Sequence, residues 1–265
     1  MSDNQSGVFL ADAASVLQPL FRTPALLAQF PTVVAAESTR HGGVSPAPYA
    51  SLNLGINTDD QPAHVDTNRQ RFMEALGAGS FGFASSLQVH GTAVYEATAP
   101  GRHEGYDALM TNRPGLLVGV TVADCVPMLI YDAGQRAVAA VHAGWRGTVG
   151  NIVGHTLARM QQTYGTRAVD CYVYVGTCID TWSFGVGPEV ASQFDADLVQ
   201  PHPETQQPCA DLKRANVRFC QQWGVPAAQI AVSPYSTVLH NHDYFSYRAE
   251  RGQTGRMLAV IGLRG

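Results

Sequence analysis

Two patterns of hydrophobic and polar positions alternate along this chain. Short runs rich in β-branched and aromatic residues predict strands, because such side chains fit the pleated, half-buried surface of a sheet. These runs lie at residues 33–39, 116–122, 126–132, 137–143, 170–176, 229–233 and 256–263. Apolar residues at three-to-four spacing predict helices, with Thr148 and Asp211 as N-caps, over residues 66–76, 148–164, 188–194 and 211–223.

The order of these elements indicates the fold class. Several strands follow one another before a helix intervenes, so the chain is not a series of βαβ units. We therefore expect a mixed α/β (α+β) fold with a single domain over residues 33–265. Residues 8–30 are apolar, with Pro19, Pro24 and Pro31 as breaks, and we expect residues 1–32 to form an N-terminal extension packed on that domain.

Composition and charge narrow the classes of function. The chain has 265 residues, 45% of them hydrophobic, which is enough for a sizeable core. A net charge of -4, without basic runs, argues against binding to nucleic acid or to a membrane surface. There is neither an apolar run of about 18 residues nor a secretory signal pattern, so we expect a cytoplasmic protein. Five cysteines without a CxxC pair predict reduced thiols, with a metal ligand among the candidates for their role.

The stretch from residue 121 to 147 carries the most informative chemistry. It contains two predicted strands joined by a short polar loop around Gly134, which predicts a hairpin. If the loop comprises the four residues after Tyr131, Cys125 lies directly opposite His142. Opposed residues have Cβ atoms about 4.5–5.5 Å apart, close enough for a thiolate and an imidazole to bind one ion.

A third candidate ligand, His90, lies in an alternating stretch that predicts a short strand ending at Gly91. Two imidazoles and one thiolate make a three-ligand zinc set, which leaves a fourth position open as catalytic zinc sites do. The alternative is that Cys125 is a small buried hydrophobic residue and that both histidines are ordinary loop residues. The wide sequence spacing of the three residues matches no compact zinc motif, which favours that alternative.

Several short motifs, all in one order, resemble a known family. They are TRHGGVS (39–45), SLNLG (51–55), Asn68-Arg69, QVHG (88–91), DALMT (107–111), ADC (123–125), HAGWRG (142–147), DLKRANV (211–217), FSYR (245–248) and TGRM (254–257). From about residue 35 onward the chain resembles the family variously called laccase-domain proteins, polyphenol oxidases and purine nucleoside phosphorylases. The resemblance implies a layered αββα sandwich, and zinc bound by His90, Cys125 and His142. The chain departs from the family pattern at 175–184 and 235–237, which concerns the shape of the pocket.

Other polar residues are candidates for roles beside the metal. Asp124 is a candidate catalytic base, although strand alternation turns it away from Cys125 unless a bulge intervenes. Candidates to bind substrate or phosphate are Arg40, His41, Asn53, Arg69, Arg146 and Arg248. Guanidinium forks suit phosphate oxygens, but structural ion pairs and surface turns are the alternatives.

The resemblance implies a zinc enzyme that cleaves purine nucleosides such as adenosine, inosine or a methylthio analogue with phosphate, or deaminates adenosine. Its partners would then be small molecules, and we expect a monomer. One alternative is a copper-dependent polyphenol oxidase. Multicopper enzymes need several HxH pairs, however, and this chain has one, formed by His240 and His242. The sequence around this pair is also consistent with a surface loop. Another alternative is a metal-stabilised peptidoglycan editing factor acting on cell-wall precursors.

Overall fold

Two six-stranded sheets form the centre of the protein in a computed structural model that describes residues 18–265. The strands are β1 (Phe21–Arg22), β2 (Val33–Ser38), β3 (Gly82–Leu87), β4 (Val94–Glu96), β5 (Gly101–Glu104), β6 (Ala108–Thr111), β7 (Leu116–Val122), β8 (Val126–Asp132), β9 (Ala137–Ala143), β10 (Cys171–Val175), β11 (Val199–Pro201), β12 (Pro208–Ala210), β13 (Ile230–Val232) and β14 (Met257–Leu263). The helices are α1 (Ala25–Ala28), α2 (Pro62–Ala75), α3 (Trp145–Val149), α4 (Ile152–Tyr164), α5 (Pro188–Ala191) and α6 (Leu212–Trp223).

Both large sheets mix parallel and antiparallel neighbours. The first sheet has the strand order β1-β2-β14-β7-β3-β5, and the second has the order β13-β10-β8-β9-β6-β4. In the first sheet β14 is antiparallel to β7, while β3 is parallel to it. In the second sheet β8 is antiparallel to β9, and β13 runs parallel to β10. The mixed class predicted from the sequence is confirmed.

The alternation of side chains along β14 shows how the first sheet is covered on both faces. Leu258 and Val260 face outward and pack with Phe72 of α2. Ala259 and Ile261 face inward and belong to the core between the two sheets. This is the two-residue period of a strand with both faces buried, which is why its sequence is apolar throughout.

The second sheet is covered on its other face by α4 and α6. Leu157 and Met160 of α4 pack against Met128 and Val141, and Leu212 of α6 joins the same cluster. Each fully buried side chain of this size contributes about 1.5–3 kcal/mol relative to leaving it exposed. The layers are therefore helix, sheet, sheet and helix, which confirms the αββα sandwich.

Element boundaries agree with the sequence to within one residue for all seven predicted strands and differ more for the helices. The predicted 148–164 helix is divided into α3 and α4, because Asn151 adopts a φ of 53° and caps α4 in place of Thr148 by accepting the Gly154 N–H. Asp211 caps α6 as predicted, by accepting the Arg214 N–H. The structure starts α2 at Pro62, ahead of the predicted start, and ends α5 before the predicted end.

The N-terminal region is described from residue 18 onward. Its strand β1 pairs with β2, and Leu27 of α1 is buried in the core between the sheets. Of the extension predicted over 1–32, residues 1–17 lie outside the described residues. Within the described part of the chain, no helix combines the length and the apolar character needed to cross a membrane.

Candidate metal centre

The hairpin of β8 and β9 carries two of the three predicted ligands. Its register places Pro127, not Cys125, directly opposite His142, so the predicted pairing is wrong. The loop spans residues 133–136, one residue later than predicted. Cys125 therefore lies just before β8, at a position diagonal to His142.

The hairpin loop explains the corrected register. Asp132, the last residue of β8, accepts hydrogen bonds from the N–H groups of Gly134 and Gln135, at 2.9 and 3.1 Å. Side chains of this kind stabilise a turn two residues ahead of themselves. Arg136 then closes the loop with a φ of 49°. This side-chain capping, rather than the strand pattern, sets where the loop begins.

The structure brings His90, Cys125 and His142 together. One ligand atom from each residue lies within 4.8 Å of the other two. The two imidazole rings meet edge to face, with centroids 4.9 Å apart and an interplanar angle of 81°. His90 is exposed and lies beyond the end of β3 with a φ of 61°, not in the predicted strand, whereas His142 is buried.

A buried carboxylate, Asp107, holds the imidazole of His142 and the backbone of His90. Its Oδ1 accepts hydrogen bonds from His142 Nδ1 at 2.8 Å and from the His90 N–H at 2.9 Å. Its Oδ2 accepts the N–H groups of Gly91 at 2.7 Å and Val89 at 3.2 Å. With Nδ1 bonded to Asp107, His142 presents Nε2 as its ligand atom. Metal-bound histidines are commonly oriented by a carboxylate in this way.

Asp107 was missed as a functional residue in the sequence. It stands at the start of the DALMT motif, immediately before β6, and it is fully buried. An acidic residue at the head of an apolar strand is the signal that could have singled it out, because buried carboxylates are rare unless they are paired or hydrogen-bonded.

Gly144 allows the ligands to approach one another. A Cβ atom at this position would lie 2.9 Å from His90 Cδ2 and 3.1 Å from Cys125 Sγ. Both distances are shorter than ordinary van der Waals contacts. Gly144, the first glycine of the HAGWRG motif, is therefore required by the packing of the ligand side chains.

The ligand cluster favours an anionic sulfur. Burial alone would raise the pKa of Cys125, but His142 and His90 lower it well below the ordinary thiol value. Burial alone would lower the pKa of His142, but the Cys125 thiolate and Asp107 raise it overall. The thiolate is the form of cysteine that binds metals.

A cavity of about 580 Å³ adjoins the cluster, and all three ligand residues line it. Arg248 and Arg256 also line this cavity, as do the aromatic residues Phe184 and Tyr247. The volume falls within the range of small-molecule sites, which is about 300–1,000 Å³. The site therefore combines a metal-binding cluster, positive charge and aromatic surface.

Arg248 is anchored through one end of its guanidinium group. Its Nη1 donates to the backbone carbonyls of Ser183 at 3.1 Å and Gly185 at 3.2 Å. These two bonds use both hydrogens of Nη1. Within residues 18–265, Nε and Nη2 of Arg248 have no hydrogen-bond partner. The edge of the guanidinium group formed by these two nitrogens therefore faces no protein acceptor.

Arg256 is anchored in the same manner but was not singled out in the sequence, where it stands in the TGRM motif. Its Nη1 donates to the carbonyls of Thr254 at 2.8 Å and Gly255 at 2.9 Å. No carboxylate in the described part of the chain forms an ion pair with Arg256, and burial lowers its pKa. A Cβ atom at Gly55 would lie 2.5 Å from Arg256 Cγ, so that glycine makes room for its side chain.

The predicted substrate residue Asn53 supports Arg256 rather than lining the cavity. It is fully buried, and its Oδ1 accepts the N–H groups of Gly55 at 3.0 Å and Arg256 at 2.9 Å. Its Nδ2 donates to Thr58 and Asp60. Asn53 of the SLNLG motif thus positions the backbone of Arg256, one of the two cavity arginines.

Asp124 lines the cavity, but its carboxylate is engaged by the protein. Oδ1 accepts the hydroxyl groups of Thr237 at 2.5 Å and Ser246 at 2.7 Å, and Oδ2 accepts the Arg248 N–H at 2.6 Å. The residue has a φ of 87°, which breaks the alternation of the strand before it.

The structure places the other predicted substrate residues away from the cavity lining. In the described residues their contacts are Arg40 with Glu250 and Asn241, His41 with Asp243, Arg69 with the Leu54 carbonyl, and Arg146 with the ring of Trp145. His240 and His242 have ring centroids 6.2 Å apart. Across residues 18–265, the one group of three or more His, Cys, Asp or Glu residues close enough to hold an ion is His90, Cys125 and His142.

Relatives of known sequence cover almost the whole chain. A purine nucleoside phosphorylase of Deinococcus radiodurans is 41% identical over 250 residues, which is 92% of this chain and 93% of that protein. The purine nucleoside phosphorylase YlmD of Geobacillus stearothermophilus is 36% identical over 251 residues, covering 89% of this chain and 92% of its own.

Solved structures show the same fold. The crystal structure of YlmD from Geobacillus stearothermophilus has a TM-score of 0.84 and 32% identity, covering 93% of this chain and 99% of its own. The Bacillus licheniformis protein YfiH has a TM-score of 0.83 and 27% identity, covering 92% of this chain and 99% of its own. The family model described as multi-copper polyphenol oxidoreductase laccase matches residues 34–264. The chain therefore belongs to the multi-copper polyphenol oxidoreductase laccase family.

Proposed function

We propose that this protein is a zinc-dependent purine nucleoside phosphorylase that uses orthophosphate to cleave adenosine or inosine. The observation that carries this proposal is the cluster of His90, Cys125 and His142 on the wall of a cavity shared with two arginines. The names of relatives up to 41% identical support the same chemistry.

The donor set fits zinc. One thiolate and two imidazoles are ligands that zinc prefers, and three protein ligands suit a catalytic site because a fourth position stays available. Asp107 holds the ring of His142 and the backbone of His90, so two of the three ligands are oriented before any ion binds. When bound, zinc would supply a Lewis acid that polarises a substrate oxygen or lowers the pKa of a water molecule.

The arginines suit the phosphate. Within residues 18–265, the guanidinium groups of Arg248 and Arg256 each form hydrogen bonds only through Nη1, so Nε and Nη2 remain for paired hydrogen bonds with an oxyanion. Held beside the sugar, a phosphate oxygen forms a bond to C1′ while the C1′–N9 bond breaks. The electron pair of that bond passes to N9, the base takes up a proton, and the products are the free purine and ribose 1-phosphate. Phe184 and Tyr247 line the same cavity, and we expect the purine to pack against them.

Deamination of adenosine is a second activity that the same open ligand position favours. Water would then attack C6 of the purine and release ammonia, giving inosine. This reaction needs no phosphate, so the two activities separate cleanly in an assay with and without phosphate. Methylthioadenosine is a further substrate for the phosphate-dependent reaction.

The alternative functions find less support in the site. A multicopper oxidase needs further histidine ligands beyond a single His2Cys set, and residues 18–265 provide one group close enough to hold an ion. A peptidoglycan editing factor would bind a wall precursor instead of a nucleoside, and no contact of the cavity favours that ligand. We expect the enzyme to act as a monomer in the cytoplasm, where its free cysteines stay reduced.

The test combines metal analysis with product analysis. We expect about one zinc per chain, and release of purine base from adenosine and inosine only when phosphate is present. His142→Ala should abolish both zinc binding and base release, because a ligand is lost. His155→Ala, which changes an exposed histidine of α4, is the matched control and should leave both unchanged. The proposal is wrong if folded, zinc-replete protein releases no base from either nucleoside, and wall-precursor turnover in the same assay would favour the editing alternative.

A further inference from the structure

The carboxylate of Asp124 accepts three hydrogen bonds from another part of the chain. Thr237 and Ser246, both buried, donate their hydroxyl groups to Oδ1, and Arg248 donates its N–H to Oδ2. A general base must direct a lone pair at the proton it removes. Three short bonds to protein donors make this carboxylate better suited to holding a segment in place than to accepting a substrate proton.

The backbone of Asp124 adds a further connection. Its carbonyl accepts the Ile179 N–H at 3.0 Å, while the neighbouring Cys178 carbonyl accepts the Thr237 N–H at 3.0 Å. The φ of 87° at Asp124 turns its side chain out of the strand pattern and leaves the next residue, Cys125, in the ligand cluster. Three segments therefore meet at this one residue: the strand end that carries a ligand, the 177–179 loop and the 237–248 segment.

Arg248 is the member of that segment that lines the cavity. Its backbone is fixed by Asp124, and its Nη1 is fixed by the carbonyls of Ser183 and Gly185. Its guanidinium carbon also lies 5.6 Å from the centre of the Phe184 ring. Held at both ends, the side chain has little freedom left to lose when it binds an anion, which favours binding.

We propose that Asp124 is a positioning residue that fixes Arg248 for binding an oxyanion in the cavity, and so couples the metal-ligand strand to the anion side of the site. The inference rests on the proposed function in one respect, because it takes orthophosphate as the oxyanion. The role assigned to Asp124 is different from that of a catalytic base, since it acts on the substrate only through Arg248.

The experiment measures binding of inorganic phosphate to zinc-loaded protein by calorimetry, so it needs no turnover. Asp124→Asn removes the negative charge and leaves one acceptor oxygen to serve the Arg248 N–H and the two hydroxyl groups, and we expect the phosphate dissociation constant to rise about tenfold or more. Zinc content should stay at about one per chain. Asp211→Asn, which changes a carboxylate that accepts the Arg214 N–H at the start of α6 and does not line the cavity, is the matched control and should change neither value.

A double-mutant cycle separates positioning from a general loss of structure. Arg248→Met should weaken phosphate binding by a similar factor, and Asp124→Asn should add almost nothing in the Arg248→Met background, because the two residues act through one contact. If Asp124→Asn fails to fold, Ser246→Ala replaces it in the cycle. That variant removes one bond to Asp124 and should show a smaller loss with the same non-additivity.

The outcomes that overturn the inference are distinct from failure of the proposed function. Independent, multiplying effects of the two substitutions would overturn it, as would loss of zinc in Asp124→Asn or an unchanged phosphate affinity. A fall in kcat with intact phosphate binding would assign Asp124 the base role instead. Wild-type protein that binds phosphate with the expected coupling but releases no purine base would refute phosphorolysis and leave the positioning role standing. Absence of phosphate binding in zinc-loaded wild type would overturn the inference itself.

Discussion

Replacing Asp107 with asparagine tests whether one buried carboxylate sets the metal affinity of the site. Asparagine keeps the size of the side chain and one acceptor oxygen, which can still serve His142 Nδ1 and the His90 N–H. Its NH2 group, however, takes the place of Oδ2, which accepts the N–H groups of Gly91 and Val89. The substitution therefore places the NH2 donor against the N–H donors of the segment that carries His90. It also removes the negative charge beside the imidazole of His142.

Two effects are expected, and each has a magnitude. Loss of a residue that orients a metal ligand typically lowers metal affinity about 10–100-fold, which corresponds to about 1.4–2.7 kcal/mol. Leaving buried donors without an acceptor lowers the free energy of unfolding of the metal-free protein by about 1–3 kcal/mol. Burial alone would raise the pKa of Asp107, but the His142 and Gly91 bonds lower it overall. The ionised Asp107 carboxylate therefore stabilises the folded protein at neutral pH, and this stabilisation is lost as the pH falls through the lowered pKa of Asp107. Asparagine does not ionise, so Asp107→Asn should remove this dependence of stability on pH.

The assay is competition for zinc with a chromophoric chelator at pH 7, together with urea denaturation of the metal-free protein between pH 3 and pH 7. Asp211→Asn is again the control, because Asp211 also accepts a backbone N–H group, but at the start of α6 and away from the ligands. A zinc dissociation constant within twofold of wild type in folded Asp107→Asn protein would refute the reasoning.

Three further predictions concern single side chains of the site. Gly144→Ala should fold but bind zinc at least about tenfold more weakly, because the added Cβ would contact the His90 and Cys125 side chains. The same chelator competition measures this affinity, and wild-type affinity would contradict the packing argument. In metal-free protein at pH 7, Cys125 should react with iodoacetamide well before the other four cysteines, because His142 lowers its pKa whereas burial raises the pKa of Cys171 and Cys220 to about 12. Its rate should fall only when the pH drops below neutrality, and peptide mass spectrometry that found equal labelling would exclude this. Arg256→Met should raise the phosphate KM about tenfold or more while leaving zinc content unchanged, and unchanged kinetics would remove Arg256 from the anion site.

The sequence predicted the long strands because their information is local. β7, β8, β9 and β14 are continuous apolar runs between turn residues, and both faces of each strand are buried. β5, by contrast, is a short and mostly exposed edge strand whose pairing comes from β3. Its residues have no pattern of their own, so no local rule could have found it.

The three candidate ligands could be named from motifs, but their arrangement could not. The hairpin register depends on where the Asp132 side chain caps the loop, which shifts the pairing and cannot be counted from strand lengths. Asp107 gains its role only when the fold brings it to His142, 35 positions away, and to His90, 17 positions away. The three hydrogen bonds to the Asp124 carboxylate likewise come from a segment more than a hundred positions downstream.

The strand order of the first sheet also dictates when that sheet can form. β14 lies between β2 and β7, so residue 261 pairs with residue 35 on one side and with residue 118 on the other. Before β14 pairs with them, β2 and β7 each expose an unpaired edge of strongly apolar sequence. Exposed edges of this kind can pair with strands of other chains and cause aggregation. Contacts so distant in sequence form slowly, because a long loop must close before they contribute any stability. We therefore expect the pairing of β14 with β2 and β7 to form late in folding.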